Sequence, residues 1–414
     1  MAPGFPWRLV GALAALNVLS YVDRQLLVAV APLLIAELGL SRAQIGLLVG
    51  LAFMLVYAGG TLVVGMIADR ASRPRIIAAG LGAWSVATAF TGTASAFPSL
   101  AAWRACVGIG EATLPATALA MIGDRVPPAR VGLANGIFYA GIPVGFALSF
   151  ALAGTVAPTL GWRACYLGLG AVGLLAVGLV WRMADPPRRG AEGRGPGGPV
   201  GAPGGLAGAA GDLARALGAR PSLLVVILAG TLLVFASASS QHVITWLVEE
   251  RGFAFPRAAF LSAVIVLLAG LAGSLVIGDL TDRARRRHPG ARLVSLAALG
   301  ALGLGATLVF YRVASGSGLF FPAWFVAQAW LLGWYGPLVA AIDEMAPPGR
   351  RASVIGFALL VVNVLGVASG AWVTGLIGDR ASLTAGLTWS LPPAVAGLVL
   401  LGLVGVGEIR RGRR

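Results

Sequence analysis

Twelve apolar runs, each about as long as a bilayer-spanning helix, follow one another with only short polar breaks. Lipid offers no partner for unpaired backbone groups, so a chain of this kind must cross it as helices of ~20 residues or as a closed barrel. The runs lie at about 8–36, 43–67, 75–94, 98–123, 131–157, 162–184, 221–248, 256–279, 292–313, 319–345, 352–377 and 385–406. They are far too long for barrel strands. Of all residues 58% are hydrophobic and 11% charged, against about 25% charged in a soluble domain. The composition therefore predicts an all-α integral membrane protein with twelve transmembrane helices. The junction of runs 9 and 10 is the least sharp, because Arg312 and the Gly/Ser stretch 315–318 blur it. The run from Val10 is interrupted by Tyr21-Val22-Asp23-Arg24 and has no small-residue cleavage site ahead of a soluble domain. It reads as span 1 and not as a cleaved signal peptide.

The net charge is +15. Nucleic-acid binding is one reading of that charge, but the positive-inside rule accounts for it better. An even number of spans puts both termini on one side. Placing them in the cytoplasm gathers there Arg70, Arg73, Arg75, Arg125, Arg130, Arg188, Arg189, Arg283, Arg285, Arg286, Arg287, Arg350, Arg351 and the tail Arg410, Arg411, Arg413 and Arg414. The other side keeps Arg42, Arg163, Arg251, Arg257, Arg312 and Arg380. The chain has no Lys, and together with its Ala, Gly and Pro load this points to a GC-rich bacterial genome and hence to a bacterial inner membrane. Without Lys there is no P-loop, so ATP-driven pumping within this chain is not expected. Gly108-Ile109-Gly110 lies mid-span, outside the strand–helix setting of a dinucleotide site. Cys106 and Cys165 both fall inside spans and are expected as free thiols. No nucleophile–base pair and no metal-ligand cluster is present, so no enzyme, cofactor or metal is implied.

A Gly/Pro-rich stretch from Asp185 to about Arg220 divides the chain into residues 1–184 and 221–414, six spans in each. Such a composition is flexible and buries too little apolar surface to fold alone. Asp212 to Leu217 reads as a short amphipathic turn. The halves repeat a phrase. Span 2 ends Gly65-Met66-Ile67-Ala68-Asp69-Arg70-Ala71-Ser72-Arg73, and span 8 ends Gly278-Asp279-Leu280-Thr281-Asp282-Arg283. A third copy, Gly375 to Arg380, closes span 11. The glycine is expected to let helices approach closely, and the Asp and Arg to lock one face of the bundle; a plain helix stop is the alternative. Repeated halves are how secondary transporters are built.

The phrase resembles the loop 2–3 motif of the major facilitator superfamily, Gly-x-Leu-Ala-Asp-Arg-x-Gly-Arg-Arg, with Ile67 for the Leu and Ser72 for the second Gly. Within that superfamily the first half resembles the spinster branch. The residues that carry this are Tyr21-Val22-Asp23-Arg24, Gly39 to Leu48 with Gln44 and Gly46, Trp84-Ser85-x-x-Thr88, and Arg104-x-x-x-Gly108-Ile109-Gly110-Glu111-Ala112. The resemblance implies two pseudo-symmetric six-helix bundles working by alternating access. It also implies an amphiphilic substrate such as a lysophospholipid or sphingoid lipid, with protons coupled to its movement. An efflux carrier of hydrophobic drugs or organic anions is the alternative. A non-transporting sensor or scaffold is the reading from another class, and the chain lacks the appended soluble domain expected of one.

Four ionisable residues lie inside spans: Asp23, Arg24, Arg104 and Glu111. A charge at bilayer depth costs at least ~2.5–3.5 kcal/mol on insertion scales, so such residues mark function. Arg104 and Glu111 are seven residues apart and share a helix face, ~10 Å along the axis. Arg104 is a fixed cation, and Asp23 is its natural acceptor. An arginine holds a neighbouring carboxylate in its anionic form, whereas burial without a partner favours the protonated form. A pair that breaks in one conformation is therefore a proton switch; a static ion pair that sets helix register is the alternative. Asp23, Glu111 and Arg104 are assigned to proton coupling. Arg24 points about 100° away from Asp23 and is assigned to the substrate cavity with Tyr57, Asn135, Tyr139, His242, Trp330 and Asn363. Each of these last has a structural alternative, such as a helix–helix hydrogen bond or packing. Gly141-Ile142-Pro143-Val144-Gly145 supports a bend in span 5, and Asp343-Glu344 is expected to pair with arginines at the cytoplasmic face. The expected partners are protons, a small amphiphile and the bilayer, with the protein a monomer.

Overall fold

The protein is described here by a computed structural model, covering residues 5–68, 71–127, 130–187, 215, 217–218, 220–347 and 351–412. Among these residues every regular element is helical. In the first half these are α1 (Trp7–Ala29), α2 (Ala31–Leu38), α3 (Arg42–Val49), α4 (Leu51–Ala68), α5 (Arg73–Thr91), α6 (Phe97–Glu111), α7 (Leu114–Arg125), α8 (Val131–Tyr139) and α9 (Gly141–Trp181). The second half holds α10 (Pro221–Ala238), a 3-10 turn (Ser239–His242), α11 (Val243–Glu249), α12 (Phe255–Arg287), α13 (Pro289–Arg312), α14 (Phe320–Gly333) and α15 (Tyr335–Met345). It ends with α16 (Arg351–Val361), a π-helical turn (Val362–Val367), α17 (Ala368–Arg380), α18 (Leu383–Trp389) and α19 (Leu391–Gly412).

Ten of these helices or consecutive helix pairs are long and apolar enough to cross a membrane. One of them, 131–181, holds two spans. The 41-residue α9 would be about 60 Å long if straight, twice a bilayer core, and it is broken at Gly161 (φ 81°, ψ 160°). That left-handed backbone is open to glycine and strained for any other residue. The twelfth span is α5, less apolar because it opens on Arg73-Pro74-Arg75, yet packed against both α6 and α9. The twelve runs of the sequence thus all appear as helix, and α13 ends at Arg312, which settles the junction of spans 9 and 10. Asp69, Arg70 and most of the Gly/Pro-rich stretch, including all but residues 215 and 217 of the turn expected at 212–217, lie outside the described residues.

Eight of the twelve spans are interrupted: at Val30, Gly50, Ala112, Ala140, 239–242, Trp334, 362–367 and Ser390. Irregular backbone at membrane depth is tolerated only where it is buried in protein or lines a polar cavity. The helices group into two compact units, 1–189 with 241–267 and 190–240 with 268–414. In the first unit, residues 241–267 are attached by packing of α11 on α2 and by an ion pair of 2.6 Å from Arg42 to Glu249. The core of this unit centres on Leu13, Phe53, Leu81, Trp84, Leu114 and Phe138. That of the second unit centres on Leu233, Leu296, Trp330, Trp334, Leu338 and Leu398. Outward, Leu175, Leu179, Leu275 and Leu302 are exposed, as suits a surface solvated by lipid.

Spans 3 and 4 meet through glycine. A Cβ on Gly110 would come within 2.7 Å of the Gly80 carbonyl oxygen and the Trp84 amide nitrogen. This contact fixes α6 against α5. Gly110→Val is expected to overpack the interface at a cost of about 1–3 kcal/mol and to lower the melting temperature in detergent. Gly11→Ala, where nothing lies within 4 Å of the new Cβ, should leave it unchanged.

On the far side of α2, Glu37 accepts from Trp162 Nε1 at 2.6 Å and from the Arg163 guanidinium, which also donates to the Ala94 carbonyl at 3.2 Å. The Trp162 hydrogen bond first, then Arg163, holds the Glu37 carboxyl below its ordinary value of 4.5. Its contribution to stability is full above that value and is lost as pH falls through the depressed folded one. Thermal unfolding between pH 6 and 3 should therefore fall less steeply for Glu37→Gln than for the parent.

Candidate functional site

The four in-span charges form two pairs inside the first unit. On α1, Ser20 and Arg24 are one turn apart and share a face, and both reach Glu111 at the end of α6. Arg24 Nε lies 2.5 Å and Ser20 Oγ 2.9 Å from Glu111 Oε2. Asp23, about 100° round the helix, faces elsewhere. Its Oδ2 accepts from Thr88 Oγ1 on α5, and its Oδ1 lies 3.9 Å from Arg104 Nη1. Asp23, Arg104 and Glu111 are all buried. Each acid has one oxygen that is hydrogen-bonded and one, Asp23 Oδ1 and Glu111 Oε1, with no hydrogen-bond partner among the described residues. Arg104 Nε and Nη1 are in the same condition.

Arg24 therefore stands inside the charged unit, not beside it as its azimuth relative to Asp23 suggested. The signal was present in the sequence as Ser20 four residues earlier. The guanidinium of Arg24 also lies over three rings, Tyr57 at 4.4 Å, Phe53 at 4.9 Å and Tyr21 at 5.0 Å. Tyr57 stacks on Phe53 at 5.3 Å, so it adjoins the charges. Ser20, Phe53 and Thr88 are the members that reading the charges alone missed.

The other candidates are scattered. Asn135 is partly buried with no hydrogen-bond partner for Oδ1 among the described residues, and Tyr139 is exposed with its ring edge-on to Phe138. His242 is fully buried at the end of the 3-10 turn. Asn363 sits in the π-helical turn and donates to Tyr335 Oη at 2.9 Å and to the Leu359 carbonyl at 2.8 Å. Trp330 is core: it stacks on Trp334, and Cβ atoms on Gly300 or Gly303 would collide with its ring. That placement makes it a packing residue of the second unit.

The repeated phrase resolves into two charge clamps. Arg73, 2% exposed, donates to Asp124 at 2.5 Å, to Asp185 at 2.9 Å and to the Pro186 carbonyl at 2.6 Å. It thereby ties the start of span 3 to the ends of spans 4 and 6. In the second unit the equivalent cation is Arg292, paired with Asp282 at 2.7 Å and Glu344 at 3.2 Å; Glu344 also binds Arg285 at 2.7 Å. Arg283 pairs with Asp279, one turn away on its own helix. Gly278 was expected to permit a close helix approach, but a Cβ there would meet nothing within 4 Å. The clamp at this end rests on charge, not on helix proximity. Removing a partner from a buried pair costs about 3–5 kcal/mol because the remaining charges stay buried. Arg73→Ala should lower the melting temperature by several degrees, and more than Arg283→Ala, whose pair is exposed.

The sequence profile of the Major Facilitator Superfamily matches residues 13–371. An MFS-type efflux pump of Mycolicibacterium smegmatis is 28% identical over 418 residues, 98% of this chain and 91% of that one. Protein spinster of Drosophila melanogaster is 27% identical over 380 residues, 90% of this chain and 62% of that one. Among solved structures, a bacterial homolog of the human lysosomal transporter Spinster, in an inward-facing and unoccupied conformation, superposes with a TM-score of 0.84. The two share 22% identity and cover 99% of each other.

Proposed function

Because this chain belongs to the major facilitator superfamily and is a multi-pass membrane transporter, not an enzyme, we propose that it is a proton-coupled carrier of an amphiphilic lipid, a lysophospholipid or sphingoid lipid, working by alternating access. The observation that carries the proton reading is the pair of buried carboxylates, each with a bare second oxygen. A proton arriving at Glu111 Oε1 displaces no hydrogen bond, neutralises the acid, and weakens its hold on Arg24. Asp23 offers the same chemistry opposite Arg104. The spinster resemblance supports the lipid. A charged wall bordered by Tyr21, Phe53 and Tyr57 suits a molecule with a polar head and a greasy tail. The reading places the monomer in a bacterial inner membrane with both termini in the cytoplasm.

The match to a mycobacterial efflux pump, which runs the length of the chain, favours a second reading: efflux of hydrophobic drugs or organic anions. The two are separated by uptake into proteoliposomes of lysophosphatidylethanolamine, sphingosine, ethidium and an aromatic acid, each with and without an imposed pH gradient. Lysolipid or sphingosine uptake that rises with the gradient is expected. Asp23→Asn and Glu111→Gln should each reduce gradient-driven uptake about a hundredfold, the low end of what loss of a proton-transfer group does. Full gradient-driven uptake in both variants would overturn proton coupling, and uptake of ethidium or the acid alone would overturn the lipid.

A further inference from the structure

We propose that Phe53 is a positioning residue that joins the two buried acid–arginine pairs into one mechanical unit; this rests on reading those pairs as the working site. Phe53 lies on α4 and is 1% exposed. Its single ring serves two cations: the guanidinium carbons of Arg24 and Arg104 each lie 4.9 Å from its centroid. Each arginine belongs to a different pair, Arg24 with Glu111 and Arg104 with Asp23. A cation over an aromatic face is attracted by the ring quadrupole, more strongly when water is excluded.

The ring matters most for Arg104. That guanidinium makes only a 3.9 Å ion pair with Asp23, and its Nε and Nη1 donate to nothing among the described residues. Hydrogen bonds from those two nitrogens do not hold it; the Phe53 face does so together with the Asp23 ion pair. Arg24, by contrast, is held at 2.5 Å by Glu111 and is shared among three rings.

Phe53 is itself fixed from behind by Gly108, midway between Arg104 and Glu111 on α6. A Cβ on Gly108 would come within 2.9 Å of the Phe53 carbonyl oxygen and 3.5 Å of its ring Cδ2. The glycine lets α4 lie against the very face of α6 that carries both charges. A ring seated so tightly cannot follow one arginine without moving against the other. Release of Arg24 by Glu111 is thereby felt at Arg104 and Asp23, through contact and not only through the long-range field.

The test is a double-mutant cycle on the purified full-length protein in detergent, read as melting temperature, with no substrate and no pH gradient. In the parent, the combined effect of Asp23→Asn and Glu111→Gln should depart from the sum of the single effects by about 3 °C or more, as expected of coupled neighbours. In a Phe53→Leu background the departure should shrink to about 1 °C, and Phe53→Tyr, which keeps the face, should restore it. Should Phe53→Leu not fold, Phe53→Met keeps volume and chain flexibility while removing the face, and serves in its place. Equal non-additivity with and without the ring, or additivity in the parent, overturns the proposal. Because the cycle involves no transport, its outcome is independent of whether gradient-driven uptake survives in Asp23→Asn. A variant set that is coupled through Phe53 yet carries no proton would sink the function reading alone.

Discussion

A buried charge in an apolar helix has to be answered by another group within a few ångströms, and in this protein that requirement organises the first unit. Arg104 cannot give up its proton, so α1 must bring Asp23 to it. Glu111 is fully buried, so α1 must also bring Arg24. Both demands are met by one helix because Asp23 and Arg24 are adjacent and diverge in azimuth. Spans 3 and 2 then close around the pairs. Span 3 does so through Thr88 and the Gly80–Gly110 contact, span 2 through Phe53 seated on Gly108. Replace the charges by leucines and none of these close approaches has a reason to exist.

The clamps at the helix ends obey the same rule at lower stakes. Arg73 and Arg292 each sit at the opening of the third span of a half, nearly buried, facing carboxylates from neighbouring segments. The similarity of the halves is thus in electrostatic topology. It is not residue for residue: Asp124 and Glu344 each come from the end of a half's fourth span, but Asp185 joins the first clamp from beyond span 6 and Asp282 joins the second from span 8. The in-span pairs have no counterpart among the described residues of the second unit, where Asn363 donates to Tyr335 in a part-buried contact and Ser390 to Ser239 in a buried one. Among the described residues, in-span acid–arginine pairs lie in one half of a molecule whose halves repeat a sequence phrase.

That asymmetry bears on what family membership conveys. The superfamily profile accounts for the twelve-helix frame, and the motifs that resemble the spinster branch lie in the segments that hold the charges. Relatives of quite different cargo share the frame, among them an efflux pump matching nearly the whole chain.

Much of this was legible in sequence. Apolar runs of bilayer length, punctuated by arginine, admit one class of fold, because lipid forbids unpaired backbone. Asp23, Arg104 and Glu111 announced themselves because a charge there is costly wherever its partner lies. Helical spacing placed Arg104 and Glu111 on one face. Sequence could not say which arginine would meet which acid. That depends on the azimuth of α1 against α6, and the tertiary structure gave Glu111 to Arg24. Nor could it tell Trp330, sunk into the core, from an aromatic at an open wall, or show that Arg292 and not Arg283 is the buried cation of the second clamp. Apolarity and charge are properties of a residue and survive in one dimension; pairing is a property of distance, and only the packed helices decide it.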